Sequence, residues 1–238
     1  MATIREIMRG VAAGLLLTAS FSAHALLIGQ IDTFQDGTTD QWFAGGLGGP
    51  DHPPIAPHNV ATGGPAGAGD AFLEITASTQ NGAGSRVVAI NGAQWAGNYL
   101  AAGVHGIAMD VANLGQTALT VRLLFEDPKG GPPVDEGVTT LGFALAATGA
   151  WQHIFFPISP AALTMIDGNA NTLLGQTTLL RIINSPTPDD AIAQVGVLGV
   201  DNIQAVPLPG TLPLLGAALV LLGRFTRGKR RDGAAEAA

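Results

Sequence analysis

Between residues 26 and 205, apolar side chains recur at every second position in short bursts, and almost nowhere at every third or fourth. Leu119, Val121, Leu123 and Phe125 form one set, with Thr120, Arg122 and Glu126 between and after them. Ile107, Met109 and Val111 alternate with Ala108 and Asp110, and Leu73, Ile75 and Ala77 with Glu74 and Thr76. A period of two belongs to a strand that buries one face and turns the other outward. Ile154, Phe156 and Ile158 follow Trp151 in what reads as the same rhythm, and 29–34, 85–91, 139–146, 179–184 and 195–206 are further strand candidates. Only 160–166 suggests a turn or two of helix. The spacing predicts an all-β chain, a two-sheet antiparallel β-sandwich.

Composition agrees with that reading. Only 12% of residues are charged, while Gly (33) and Pro (15) are plentiful, which suits many strands joined by turns better than long helices with charged outer faces. Two turn-rich stretches, 44–69 and 127–137, read as the main loops. The net charge of −7 hides an asymmetry: residues 26–205 hold four basic side chains (Arg86, Arg122, Lys129 and Arg181) against fifteen acidic ones. A body so acidic cannot neutralise a phosphate backbone, which excludes nucleic acid as a partner. Without cysteine there is no disulfide, thiolate metal site or thiol nucleophile.

The ends have a different character. Arg5 and Arg9 precede the apolar run 11–19, and Ala23-His24-Ala25 supplies a small-x-small site, so 1–25 reads as a signal peptide cleaved after Ala25. At the other end, Val206, Pro207, Leu208, Pro209 and Gly210 lead into an apolar stretch, and 206–223 runs 18 residues without a charge. That is just long enough to span a bilayer as a helix, placed at about 211–225. Arg224, Arg227, Lys229, Arg230 and Arg231 follow and would stay in the cytoplasm by the positive-inside rule, with 232–238 as a short cytoplasmic tail. The order of motif, apolar helix and arginine cluster over 206–231 resembles the PEP-CTERM sorting signal of Gram-negative bacteria, with Leu208 at the central position where Glu is usual. The resemblance implies export through the inner membrane, an exosortase-type sorting enzyme as partner, and a destination at the cell surface or in extracellular matrix or biofilm.

Within 26–205, the segments 32–42 (DTFQDGTTDQW), 95–99 (WAGNY), 110–113 (DVAN) and 200–203 (VDNI) together resemble the galactose-binding-like jelly rolls of carbohydrate-binding modules. The resemblance implies a structural calcium bridging the first and last strands, with Asp32 and Asp201 as side-chain ligands and backbone carbonyls completing the shell. Sugar binding needs aromatic faces that stack on pyranose rings. Trp95 and Tyr99, in a segment containing Gly and Asn, are the ligand-binding candidates, while Trp42 and Trp151 read as core.

Catalytic patterns are few. There is no H-E-x-x-H, G-x-S-x-G or P-loop. The glycines at 45–49 do not lie between a strand and a helix, and Asp51, His52 and His58 read as solvated loop residues. Glu74 and Glu126 are the carboxylates that could face one cleft in a hydrolase. The sequence therefore leads to an exported, non-catalytic surface or matrix protein that engages exopolysaccharide. Two alternatives are an extracellular polysaccharide hydrolase and a structural matrix component that self-associates.

Overall fold

The computed structural model describes residues 26–44, 55–82, 84–127 and 132–207. The expected signal peptide, the Leu208–Gly210 part of the sorting motif, the C-terminal apolar segment and the basic cluster lie outside these residues. No helix among the described residues is long and apolar enough to cross a membrane.

In chain order the elements are β1 (Ile31–Asp32), β2 (His58–Val60), β3 (Phe72–Ala77), β4 (Val88–Asn91), α1 (Tyr99–Ala102), β5 (Gly106–Asn113), β6 (Leu119–Asp127), β7 (Asp135–Thr139), β8 (Phe143–Leu145), β9 (Gln152–Pro157), β10 (Leu163–Asp167), α2 (Ala170–Gly175), β11 (Leu179–Asn184) and β12 (Gly196–Val206). The strands form two antiparallel sheets: β2-β3-β12-β5-β9 with β1 also on β12, and β10-β7-β6-β11-β4 with β8 also on β6. The β-sandwich expected from the alternation is therefore what forms.

The period of two decides which atoms meet between the sheets. Leu73, Ile75, Met109, Val111, Leu198 and Val200 of the first sheet pack against Val121, Leu123, Phe125, Leu180 and Ile182 of the second in one cluster. Each such side chain contributes about 1.5–3 kcal/mol on burial. Edge-to-face ring pairs, Tyr99 with Phe125 and Phe143 with Phe156, fix the two ends of that core.

Three local expectations fail for reasons of pairing. The turns of helix expected at 160–166 shrink to a 3-10 turn at Pro160–Ala162. Leu163–Asp167 instead extends as β10, because the edge of β7 offers it a hydrogen-bonding partner. The long 44–69 loop contributes β2, which pairs with β3, and β7 begins at Asp135, within the expected 127–137 loop. The two helices were not expected; each has an asparagine side chain capping its N-terminus, Asn98 for α1 and Asn169 for α2.

Candidate functional site

Four side chains singled out in the sequence sit deep in the fold or at its seam. Asp32 points inward from β1 and is buried. Its Oδ2 accepts the indole N–H of Trp42 at 2.8 Å and of Trp95 at 2.7 Å, with Gln94 Nε2 at 3.3 Å. The carboxylate thus serves as the acceptor that lets two tryptophans be buried without orphaned donors. Desolvation pushes its pKa up, against the lowering by the two indole bonds. Trp95 and Tyr99 are fully buried, and the Tyr99 hydroxyl donates to the Trp95 carbonyl at 2.8 Å. The expectation that these two rings face a sugar is corrected: they face the core.

Asp201 lies elsewhere, on the outward side of β12, opposite Asp110 of β5, which is itself opposite His153 of β9. Burial first, and the charges of Asp70 and Asp110 after it, raise its pKa to about 7, against the lowering by the Asn202 N–H. The Asp32 oxygen is occupied by N–H donors, and Asp32 faces the core while Asp201 faces outward. These two residues do not fit one calcium bridge. Among the described residues no group of three or more acidic or histidine side chains could hold a metal ion. Val206 ends β12, half-buried, and Pro207 is exposed.

The outer face of the first sheet is largely closed by its own chain. Parity places Trp151, His153 and Phe155 outward, since Ile154, Phe156 and Ile158 are the buried set. The Trp151 indole is half-buried. It lies over Gly199, where an added Cβ would come within 2.9 Å of the ring, meets Phe72 edge-on at 5.3 Å, and donates to the Gly63 carbonyl at 3.0 Å. Trp151, expected in the inter-sheet core, is thus a plug on the outside. Around it the polar groups pair internally: His153 with Asp110 at 2.8 Å, Asn202 with Asp110 at 2.8 Å, and Gln35 with Asp70 at 2.7 Å.

The outer face of the second sheet is different. A small apolar cluster of Leu124, Val138, Ile183 and Ala191 ties the segment after β11 over part of it. Arg122 clamps that segment down, donating to the carbonyls of Ser185, Pro186, Thr139 and Thr140. Beside this roof, Glu126 of β6 and Glu136 of β7 stand directly opposite each other in register. Like charges so placed repel. Among the described residues one cation reaches them: Arg181 Nη2 donates to Glu126 Oε2 at 2.7 Å. Burial raises the pKa of both glutamates; the Arg181 charge lowers that of Glu126, while Glu126 and Asp190 add to the rise at Glu136. The Arg181 Nε is buried with no hydrogen-bond partner among the described residues, although the side chain as a whole is 26% exposed. Thr164, paired to Thr140 by hydroxyls 2.8 Å apart, and the exposed Ile166 flank the cluster on β10.

Glu74 and Glu126, the pair expected for a hydrolase, lie on opposite outer faces of the sandwich, because Leu73 and Ile75 of β3 and Leu123 and Phe125 of β6 fill the space between. They cannot share a cleft. Sequence reasoning missed Glu136 and Arg181; the signal available was scarcity, since Arg181 is one of four cations in an acidic body and stands on a strand. A cation on a strand among carboxylates has an electrostatic task.

Comparison with protein-family models and with curated proteins gives no match. Among solved structures, the family 11 carbohydrate-binding module of Clostridium thermocellum in complex with a β-1,3-1,4-mixed-linked tetrasaccharide superposes with a TM-score of 0.51 at 15% identity, over 76% of this chain and 96% of that one. A solution structure of the CtCBM11 module gives 0.51 at 15% identity, over 77% and 97%. An exo-β-agarase gives 0.51 at 12% identity, over 76% of this chain but 25% of the enzyme. At these identities the likeness is one of fold: the described residues form a β-sandwich similar to those of carbohydrate-binding modules.

Proposed function

We propose that the domain is a non-catalytic polysaccharide-binding module whose ligand lies on the outer face of the second sheet, against Glu136, Glu126 and Arg181. The observation that carries this is a surplus of acceptors: two opposed carboxylates that, among the described residues, share one guanidinium. Buried polar groups left unsatisfied are costly, and a ligand that satisfies them gains accordingly. Vicinal sugar hydroxyls each donate and accept, so they can bridge carboxylate to carboxylate. Ile166 and the aliphatic part of Thr164 offer the apolar contact that a pyranose ring face needs.

The fold likeness supports the same class. No described pair of carboxylates is assigned an acid and a base, and the reading is binding without turnover. The C-terminal signal supports export, anchoring through the apolar segment and handling by an exosortase-type enzyme, which would place the module at the cell surface or in its matrix.

The test is a glycan array probed with residues 26–207, followed by titration of the best polysaccharide. Saturable binding without release of reducing ends is the expected result. Release of reducing ends would establish a hydrolase, and absence of any glycan binding, with association rising with concentration in size-exclusion chromatography, would establish the structural matrix reading.

A further inference from the structure

Large apolar side chains are exposed next to the point where the described chain ends. Leu27 is 64% exposed, and Ile28, Ile31 and Leu100 are each close to half exposed. They belong together. Leu27 and Ile28 lie in the turn that leads into β1, Ile31 stands on β1 opposite Gln204, and the Ile28 side chain reaches Gly103, which caps the helix bearing Leu100. The last strand closes the same corner: Gly29 N–H donates to the Ala205 carbonyl at 2.9 Å, Ala205 N–H to the Gln30 carbonyl at 3.0 Å, and His105 N–H to the Val206 carbonyl at 2.9 Å.

Two further facts say what covers this patch. The apolar run begins at Val206 itself, and the helix expected from about 211 leaves four residues, 207–210, as a tether. Four residues reach at most about 14 Å, so an anchored chain holds this corner within a headgroup layer of the bilayer. The charge pattern matches. In a body with fifteen acidic side chains, the segments 26–31, 96–108 and 203–207 carry no Asp, Glu, Lys or Arg.

We infer that Leu27, Ile28, Ile31 and Leu100 form a membrane-facing surface, which seats the sandwich on the lipid interface while its C-terminal segment is anchored. The inference rests on the anchoring reading above. It fixes the orientation of the domain: β1 and the α1 corner face lipid, and the 114–118 and 146–150 turns point away from the membrane. Apolar side chains partition into the headgroup–acyl boundary, and a neutral collar lets an acidic domain approach anionic lipid without repulsion.

The absence of cysteine makes the test direct. The mature chain from Leu26 to Ala238, carrying Leu27→Cys or Ile31→Cys labelled with an environment-sensitive fluorophore, is reconstituted into phosphatidylcholine–phosphatidylglycerol vesicles with and without brominated acyl chains. Ala147→Cys, at the opposite end of the sandwich near Asn113, is the reference. Both exposed positions tolerate substitution, and flotation reports anchoring independently. Quenching at 27 and 31 at least about twofold greater than at 147 is the expected result. Chains that float with equal quenching at all three positions overturn the seating and leave the anchor standing. Chains that do not float overturn both. Cross-linking between two Leu27→Cys copies without bromolipid quenching would give the patch to a second copy and overturn the inference.

Discussion

The two sheets turn different surfaces outward, although the same alternation built both. On the first, the chain has closed its own face: an indole fills the hollow over Gly199, and Asp110, Asn202 and His153 pair among themselves. On the second, a clamp by Arg122 fixes a roof over one part, and the remainder holds opposed glutamates that, among the described residues, share one guanidinium. The difference teaches that polar residues on an outer face are informative by how completely they satisfy one another. A closed network stabilises the fold, and an open one marks where something else binds.

Four substitutions sharpen this contrast. The largest effect is expected from Arg181→Met, which strips the buried Glu126 of its cation. Breaking such a pair costs roughly 3 kcal/mol when buried, lowered to ~2 kcal/mol by the partial exposure of the Arg181 side chain. Chemical denaturation measures it, and adding Glu126→Gln in the same chain should recover most of the loss. If Arg181→Met alone is neutral, the ion pair is not what holds that face. Next comes Trp151→Ala on the first sheet. Losing a half-buried indole should cost about 2 kcal/mol, less than the 3–5 of a fully buried one, and leave glycan affinity intact. A loss of affinity there would move the site to the first sheet.

The third is a pH effect at Asp201. Its folded pKa of about 7 stands above the ordinary carboxylate range, so the folded chain holds the proton more tightly than the unfolded one. That contribution is fully present below about pH 4 and is lost as pH rises through 7. The melting temperature should fall by several degrees between pH 5 and 8, and Asp201→Asn should flatten that fall. An unchanged slope in the variant would show that the carboxylate is compensated by another group. The smallest effect belongs to His153→Ala, which removes an exposed partner of Asp110 and should change stability by under about 0.5 kcal/mol.

Much of the architecture was legible because burial enforces strand periodicity. The sets 73-75-77, 107-109-111 and 119-121-123-125 all point into the core as the alternation requires. Trp151 was misread as core because hydrophobicity was weighed over parity: an odd position beside the even buried set 154-156-158 faces outward. The β10 strand was not legible, since 163–167 becomes extended only through the edge of β7, a partner distant in sequence. The roles of Trp95 and Tyr99 were hidden for a similar reason. Gly and Asn neighbours suggest a loop tip, yet Trp95 is drawn inside by Asp32, 63 residues earlier. The Glu126–Glu136–Arg181 group joins three strands, and no local spacing announces it.

The measurement that bears most directly on the central claim compares Glu136→Gln with Glu74→Gln, matched isosteric changes on the two faces. Both are titrated with the best polysaccharide from the array, with unchanged melting temperature as the control for folding. Glu136→Gln should weaken binding about tenfold, the loss of one charge-assisted hydrogen bond, while Glu74→Gln leaves it as in the wild type. The reverse pattern, or equal affinity for all three proteins, would contradict a ligand site on the second sheet.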